Sequence, residues 1–333
     1  MTFINNTEAP RIPAQYRGMK TIPNDTPTER LNPLNDYLFY KVMGVKGDET
    51  QLLGFLNAVL GRSGKKTIKN LEIQENNFLA ADIINGKSCI LDVRAILEDG
   101  TKVNIEVQLR NEHNIDRRSL FYWSRMYSES IEQGHDYKDL PNVIAINIVN
   151  FDFPPGGNYH NSFHLREDTH PDLVLTSALE IHFINMVKWR KLREKDIRND
   201  PLHRWLTWFD CGSSPDLVKE VIGMDSSIMS AEAKKAFFSQ DKDERDLYFR
   251  RLMATMDYNS GMNGARQEGL EEGRKAGRKE GHQQGREEGQ EMATINIARN
   301  ALAEGFPIEV IQKITGLDLE TIKQLAGDSW NGE

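Results

Sequence analysis

Two stretches of the chain, Ser88-Cys-Ile-Leu-Asp-Val-Arg-Ala-Ile-Leu97 and Thr101-Lys-Val-Asn-Ile-Glu-Val-Gln-Leu109, alternate apolar and polar residues, with Glu98-Asp99-Gly100 between them. Successive side chains of a strand point to opposite faces, so this period predicts a hairpin. Leu91, Val93, Ala95 and Leu97 share one face of the first strand, and Val103, Ile105, Val107 and Leu109 share one face of the second. Asp92 and Arg94, then Lys102, Asn104, Glu106 and Gln108, take the opposite faces. A two-residue turn would set Asp92 against Val107 and mix the faces. A three-residue loop with Gly100 left-handed pairs Leu97 with Thr101 and sets Asp92 against Glu106. A one-residue slip is penalised where one face is buried, so the three-residue loop is expected. Directly opposed β-carbons lie roughly 4.5–5.5 Å apart. Two carboxylates that close repel unless a cation sits between them. Mg2+, which takes oxygen ligands including one or two protein carboxylates, is the natural guest.

The pattern elsewhere predicts an α+β core. Residues 1–31, with Pro10, Pro13, Pro23 and Pro27 among polar residues, read as an irregular arm. Asn35 or Asp36 caps a helix reaching Gly44, with Leu38, Phe39 and Val42 facing inward. A second helix is expected over 49–60, a short strand over 68–74, and a helix over 115–133 with Leu120, Trp123, Tyr127 and Ile131 at helical period and Gly134 as its stop. The apolar run over 142–150 reads as a buried central strand, and 162–165 and 179–184 as further strands. Beyond residue 186 the pattern turns helical and charged, and Trp189, Trp205 and Trp208 are expected to pack.

Glycine recurs at every fourth position from Gly269 to Gly289 in a charged, helix-prone tract. Each interior glycine weakens a helix by about 0.8–1 kcal/mol relative to alanine. A solvated tether is favoured over close helix–helix contact between copies of the protein. Over 292–326, Ile314-Thr-Gly-Leu317 can join two short helices as in a helix-turn-helix. Bases there (Arg299, Lys313, Lys323) are outnumbered by Glu304, Glu309, Asp318 and Glu320. A reading helix needs phosphate contacts, so a packing or oligomerisation tail is favoured over DNA docking.

Composition narrows the class. The 333 residues are 38% hydrophobic and 28% charged, with no apolar run long enough to span a bilayer. The first residues lack a signal-peptide pattern, and Cys89 and Cys211 are too few for a disulfide framework or zinc cluster. Cytoplasmic residence, no membrane partner and no small-molecule cofactor are expected. His160, His164 and His170 do not have the spacing of a ligand motif, and the glycines of Asp152-Phe-Pro-Pro-Gly-Gly157 punctuate a turn. Net charge is −8. A protein that bound DNA through its global field would be basic. Either DNA is held locally at a mixed-charge groove, or binding is weak, or DNA is not the partner.

An Asp on one strand followed by Glu-x-Gln on the next resembles the metal site of the PD-(D/E)xK nucleases. Asn35-Asp-Tyr-Leu-Phe-Tyr-Lys-Val-Met-Gly44, Phe55-Leu-Asn-Ala-Val-Leu60, Leu91-Asp-Val93, Ile105-Glu-Val-Gln108, Tyr122-Trp-Ser-Arg-Met-Tyr127 and Gly134-His-Asp-Tyr-Lys-Asp-Leu140 resemble, in order, blocks of one branch, the recombination-promoting nuclease and transposase family. The similarity covers about residues 32–189 and continues more loosely to the C-terminus. On the alternation alone, Asp92 and Glu106 read as the wet face of an amphipathic hairpin; the flanking blocks reverse that reading.

The resemblance implies a restriction-endonuclease-like core, a mixed sheet flanked by helices, with an α-helical C-terminal extension. It implies a DNA endonuclease dependent on Mg2+ or Mn2+ and associated with recombination or transposable elements. Asp92 and Glu106 would be metal ligands, with the backbone carbonyl of Val107 a third. The superfamily's usual lysine falls at Gln108, which can still position a water by hydrogen bonds. Lys102 or Arg94 would offset charge, and Asp36 is a candidate further acid from the first helix. Arg118, Tyr122 and Arg125 share a helical face, either to grip phosphate or to brace the sheet and neutralise the acids. Gln133 lies near the end of that helix. The organisation expected is an arm over 1–31, a nuclease-like core over 32–190, a helical extension over 191–262, a glycine-rich helix or tether over 263–291 and a tail over 292–333. The alternative is a nuclease-fold protein of weak or absent catalysis that acts as an interaction module and self-associates through residues 266–326.

Overall fold

In the computed structural model, which describes residues 30–74, 93–131 and 136–327, the alternating segments pair as antiparallel strands. β2 (Val93–Leu97) and β3 (Lys102–Gln108) set Val93 against Ile105 and Ala95 against Val103. The loop is the three-residue one. Leu97 N–H donates to the Thr101 carbonyl at 2.8 Å, Gly100 N–H donates to the Leu97 carbonyl at 2.9 Å, and Gly100 has φ +84°. Glycine alone enters that region without a steric cost, so it sets the register. Val93, Ala95, Leu97, Val103 and Ile105 are all buried, as the alternation requires.

The hairpin belongs to a six-stranded mixed sheet with β1 (Leu71–Gln74), β4 (Val143–Val149), β5 (His160–Phe163) and β6 (Leu179–Asn185), in the order β1-β2-β3-β4-β6-β5. β3, β4 and β6 run parallel to one another; the other neighbours are antiparallel. Every residue of β4 is buried, as expected for a strand covered on both faces. One face, with Val103, Ile105, Ile144, Ile146 and Ile148, joins the main core beneath α1 (Asp36–Met43) and α2 (Thr50–Val59). Asn35 caps α1, its side-chain oxygen accepting from Leu38 N–H at 3.2 Å. Trp189, Trp205 and Trp208 are fully buried in this core.

α3 (Ile115–Ser128) packs on the other face over Ala145, Val149, Ile181 and Phe183. It buries a different side from the one expected. Leu120 is 49% exposed, whereas Ile115, Ser119 and Met126 are buried and Trp123 is half-buried. Apolar period misplaced this face because α3 meets the sheet partly through polar contacts: Ser119 Oγ donates to Asn147 Oδ1 at 2.8 Å, and Trp123 Nε1 donates to the Val143 carbonyl at 2.9 Å. The helix ends at Ser128, short of the expected 133, and Gly134 lies outside the described residues.

α4 (Met186–Arg190), α5 (Pro201–Phe209), α6 (Pro215–Met224) and α7 (Ser226–Gln240) complete the core. Lys234 on α7 is 1% exposed; its ammonium donates to the Asp48 carbonyl at 3.0 Å and pairs with the Asp48 carboxylate at 3.2 Å. Burial pushes its pKa down, opposed by Asp48. α8 (Lys242–Ala303) is one helix of 62 residues. The chain divides into two compact units, one up to Thr255 and one from Met256. In the second, α9 (Ile308–Thr315) and α10 (Leu319–Ala326) pack with the end of α8 around Ala298, Ile308, Ile311 and Ile322. Residues 266–291 are helical and exposed throughout. Among the described residues, no helix is long and apolar enough to cross a membrane.

Gly54 marks the closest approach of α2 to α7, where a β-carbon would lie 2.2 Å from Ser227 Oγ. Gly54→Ala is therefore expected to overpack this contact and cost about 1–3 kcal/mol. Thermal unfolding measures it; an unchanged midpoint would mean the two helices separate freely.

Candidate active site

β3 alternates so that its polar set faces α3. Asn104, Glu106 and Gln108 are all buried there, Glu106 to 4% exposure. A carboxylate so placed has lost its water and needs a partner. α3 supplies one: the Arg118 guanidinium lies 2.8 Å from Glu106 Oε1. Arg118 also reaches Glu112 at 3.4 Å and sits over the Tyr122 ring, 5.5 Å from its centre. Burial raises the Glu106 pKa above its ordinary 4.5, and Arg118 opposes that shift without reversing it.

The row is not fully satisfied. Among the described residues, Glu106 Oε2, Asn104 Oδ1 and both amide atoms of Gln108 are buried without a hydrogen-bond partner. Each such atom left bare costs about 1–3 kcal/mol. Glu106 Oε2 and the Gln108 amide oxygen are the kind of oxygen donor a hard cation with its waters uses, but Glu106 is the one carboxylate of the row, and among the described residues no three His, Cys, Asp or Glu side chains converge on a metal position. β3 also turns the backbone groups of its even-numbered residues towards β4: Lys102 N–H donates to the Asn142 carbonyl at 2.9 Å, and the Gln108 carbonyl accepts from Asn150 N–H at 3.0 Å. The odd-numbered residues, Val107 among them, therefore present theirs to the β2 side.

Asp92 lies outside the described residues, as does Gln133; the observed pairing ends at Val93 with Ile105. Arg94 is opposite Asn104, and Lys102 begins the polar row. Both lie close enough to Glu129 to help lower its pKa, after the larger effect of its Arg125 hydrogen bond. The three residues on the α3 face separate. Arg118 pairs with Glu106 and lies over the Tyr122 ring, while Arg125 turns outward to Glu129 at 2.7 Å. Asp36 is not brought to the row. It sits on α1, against the opposite face of the sheet, and Arg251 grips its carboxylate at 2.8 and 2.9 Å.

Asn147, level with Glu106 on β4, escaped sequence reasoning. Its side chain accepts from Ser119 and donates to the His182 carbonyl at 3.1 Å, tying β6 and α3 to the level of Glu106. The signal was the one polar residue in the apolar run of β4. The histidines have other partners. His160 Nε2 and His182 Nδ1 share a hydrogen bond of 2.9 Å, and burial pushes His160 down to about 4, while His170 pairs with Glu167.

Two outcomes follow from the buried pair. Because the folded state holds the Glu106 proton more tightly than the unfolded chain, its contribution to stability is greatest below pH 4.5 and is lost as pH rises through the raised value. Urea unfolding at about pH 4 and about pH 7 should show the parent losing ground to Glu106→Gln at the higher pH. Arg118→Ala leaves the carboxylate unpartnered and should cost about 1–3 kcal/mol, part of it recovered on adding Mg2+. Melting curves with and without Mg2+ read that recovery, and equal Mg2+ responses in parent and variant would remove the link between Arg118 and the carboxylate's charge.

No curated protein and no solved structure matches the chain. Two family models do. Residues 291–327 match the Rpn/YhgA-like nuclease family C-terminal HTH domain. A helix-turn-helix implies DNA binding, which shifts the balance for this segment from a packing tail to DNA docking. Residues 33–265, most of the chain, match the PD-(D/E)XK nuclease family transposase model. With a mixed six-stranded sheet flanked by helices and a helix-turn-helix at its end, this chain belongs to the PD-(D/E)XK nuclease family transposases.

Proposed function

We propose that the protein is a DNA endonuclease dependent on Mg2+ or Mn2+, acting in recombination or transposition, with its centre at the polar end of the β2–β3 hairpin. The observation that carries this reading is the buried Glu106, with Oε1 held by Arg118 and Oε2 unpartnered beside the unpartnered Gln108 amide. Continuing the register of β2 and β3 by one residue would oppose Asp92 and Glu106. Because Leu97 and Thr101 form a hydrogen-bonded pair, Asp92 and Glu106 would be a non-hydrogen-bonded one, the kind whose side chains approach more closely. Asp92 and Glu106, with the Val107 carbonyl, would hold the ion.

When bound, the ion supplies positive charge at the scissile phosphate and acidifies a water. The rest falls to the chain itself. The Gln108 carbonyl oxygen accepts a hydrogen bond from the attacking water and orients it, and its amide N–H can donate to a phosphate oxygen. Lys102 and Arg94 supply cationic charge on the same face. Arg118 holds one carboxylate oxygen of Glu106 and leaves the other, buried, for a further partner. Gln108, where the superfamily usually has lysine, supports a second reading: a slow or silent nuclease fold kept for DNA binding.

Plasmid nicking with Mg2+ or Mn2+ tests both readings. The parent is expected to nick, and Asp92→Ala and Glu106→Ala to fall by at least about a hundredfold, the scale of losing a principal electrostatic contribution. Equal cleavage by all three removes the mechanism. Metal-dependent heat in titration calorimetry without nicking selects the second reading.

A further inference from the structure

The tract over 266–290 lies between the two stretches that match family models and belongs to neither. Its charges are unevenly spread along the helix: Glu268, Glu271 and Glu272 lie near its start and Glu287 and Glu288 near its end. Over residues 274–286, five cationic residues (Arg274, Lys275, Arg278, Lys279 and Arg286) stand against a single acid, Glu280. Lys275, Arg278, Lys279, His282 and Arg286 recur at i, i+3, i+4, i+7 and i+11, the spacing of one helical face. They line one shallow surface along α8, bordered by Glu287. Glu280 and Glu288 fall on the far side of the helix. All of these residues are exposed.

From this geometry we infer that the cationic face of α8 grips the phosphate backbone of duplex DNA and supplies contacts that the helix-turn-helix lacks. The inference rests on the reading of DNA as the partner. Within 292–327 three bases face four acids, so that unit alone is poorly equipped. Backbone contacts make up half to two-thirds of the hydrogen bonds in protein–DNA interfaces. The α8 face lies in the same compact unit as the helix-turn-helix. From Lys275 to Arg286 it extends about 16 Å, at about 1.5 Å per residue. Each strand of duplex DNA carries about one phosphate charge per 3.4 Å of axis, so the face runs alongside about five on one strand. Lys275 pairs with Glu271 at 2.7 Å, but both side chains are well exposed, and such a pair yields readily to a polyanion. The uneven spread also explains how a chain of net charge −8 can hold DNA: the binding is local.

The test is fluorescence anisotropy of the full chain on a duplex of about 30 base pairs, across a salt series, in EDTA so that no cleavage intrudes. The variant is Lys275→Gln with Arg278→Gln, Lys279→Gln and Arg286→Gln; glutamine keeps the helix propensity close to that of the residues replaced. Neutralising four phosphate contacts should reduce the slope of log K against log salt by about 3.6 and weaken binding more than tenfold. Two double variants, Lys275→Gln with Arg278→Gln and Lys279→Gln with Arg286→Gln, should each give about half the change in slope, which guards against a misfolded quadruple variant. Glu280→Gln with Glu288→Gln is the control for net charge and should leave the slope unchanged.

An unchanged slope in the folded basic-face variants overturns the inference. So does a control that strengthens binding as much as those variants weaken it, since binding would then follow net charge alone. Loss of a dimer in sedimentation with an unaltered slope would assign the face to self-association instead. Failure here is distinguishable from failure of the nuclease reading, because binding is read without metal and nicking with it.

Discussion

A charged carboxylate inside a sheet has to be compensated, and Glu106 is the charge this core is arranged around. It sits on a strand with neighbours on both sides and a helix over it, and is only 4% exposed. Arg118 answers one oxygen and leaves the other bare. Two separate features have to be correct for that arrangement. The hairpin register must turn Glu106 away from the main core, and α3 must dock with its Ser119 and Trp123 side down so that Arg118 arrives beside it. A slip of one residue in the hairpin would drive Glu106, Asn104 and Gln108 into the packing of Ile144, Ile146 and Ile148. The apolar face therefore enforces the polar one.

The two faces of the sheet have unequal tasks. One is continuous hydrocarbon, closed by α1, α2 and α5 with three buried tryptophans. The other mixes a small apolar cluster with the row of polar side chains on β3 and Asn147 on β4. Rigidity on the first face allows unsatisfied polar atoms on the second, since strain held at a candidate site must be offset by packing elsewhere. Arg251 and Asp36 illustrate the division. Their pairing fastens the early part of α8 to α1, the helix that helps close the hydrocarbon side.

Separate family models match the core and the C-terminal helices, and the acidic balance of the chain restricts how such a protein can meet a polyanion. Long-range attraction is not available to a chain that is negative overall. Charge segregated along one helix face is the physical alternative, because fields of exposed charges fade within about 8–10 Å at ordinary salt and DNA then sees the nearest residues only.

Alternation in 93–97 and 102–108, with a glycine that tolerates positive φ between them, determined the hairpin, its three-residue loop and the side on which Glu106 lies. These are local matters of period and backbone sterics. The central strand, the capped first helix and the two short C-terminal helices were legible for the same reason. The docking face of α3 was not, because its buried side uses a serine and a half-buried tryptophan where a scan for apolar residues looks for leucine. Nor was the partner of Asp36: Arg251 lies far along the chain, and only the tertiary fold brings its guanidinium to α1. The choice of Arg118 over Arg125 as partner of Glu106 belongs to the same class. One sequence face offers both, and only the position of the helix along the sheet decides which guanidinium reaches the carboxylate.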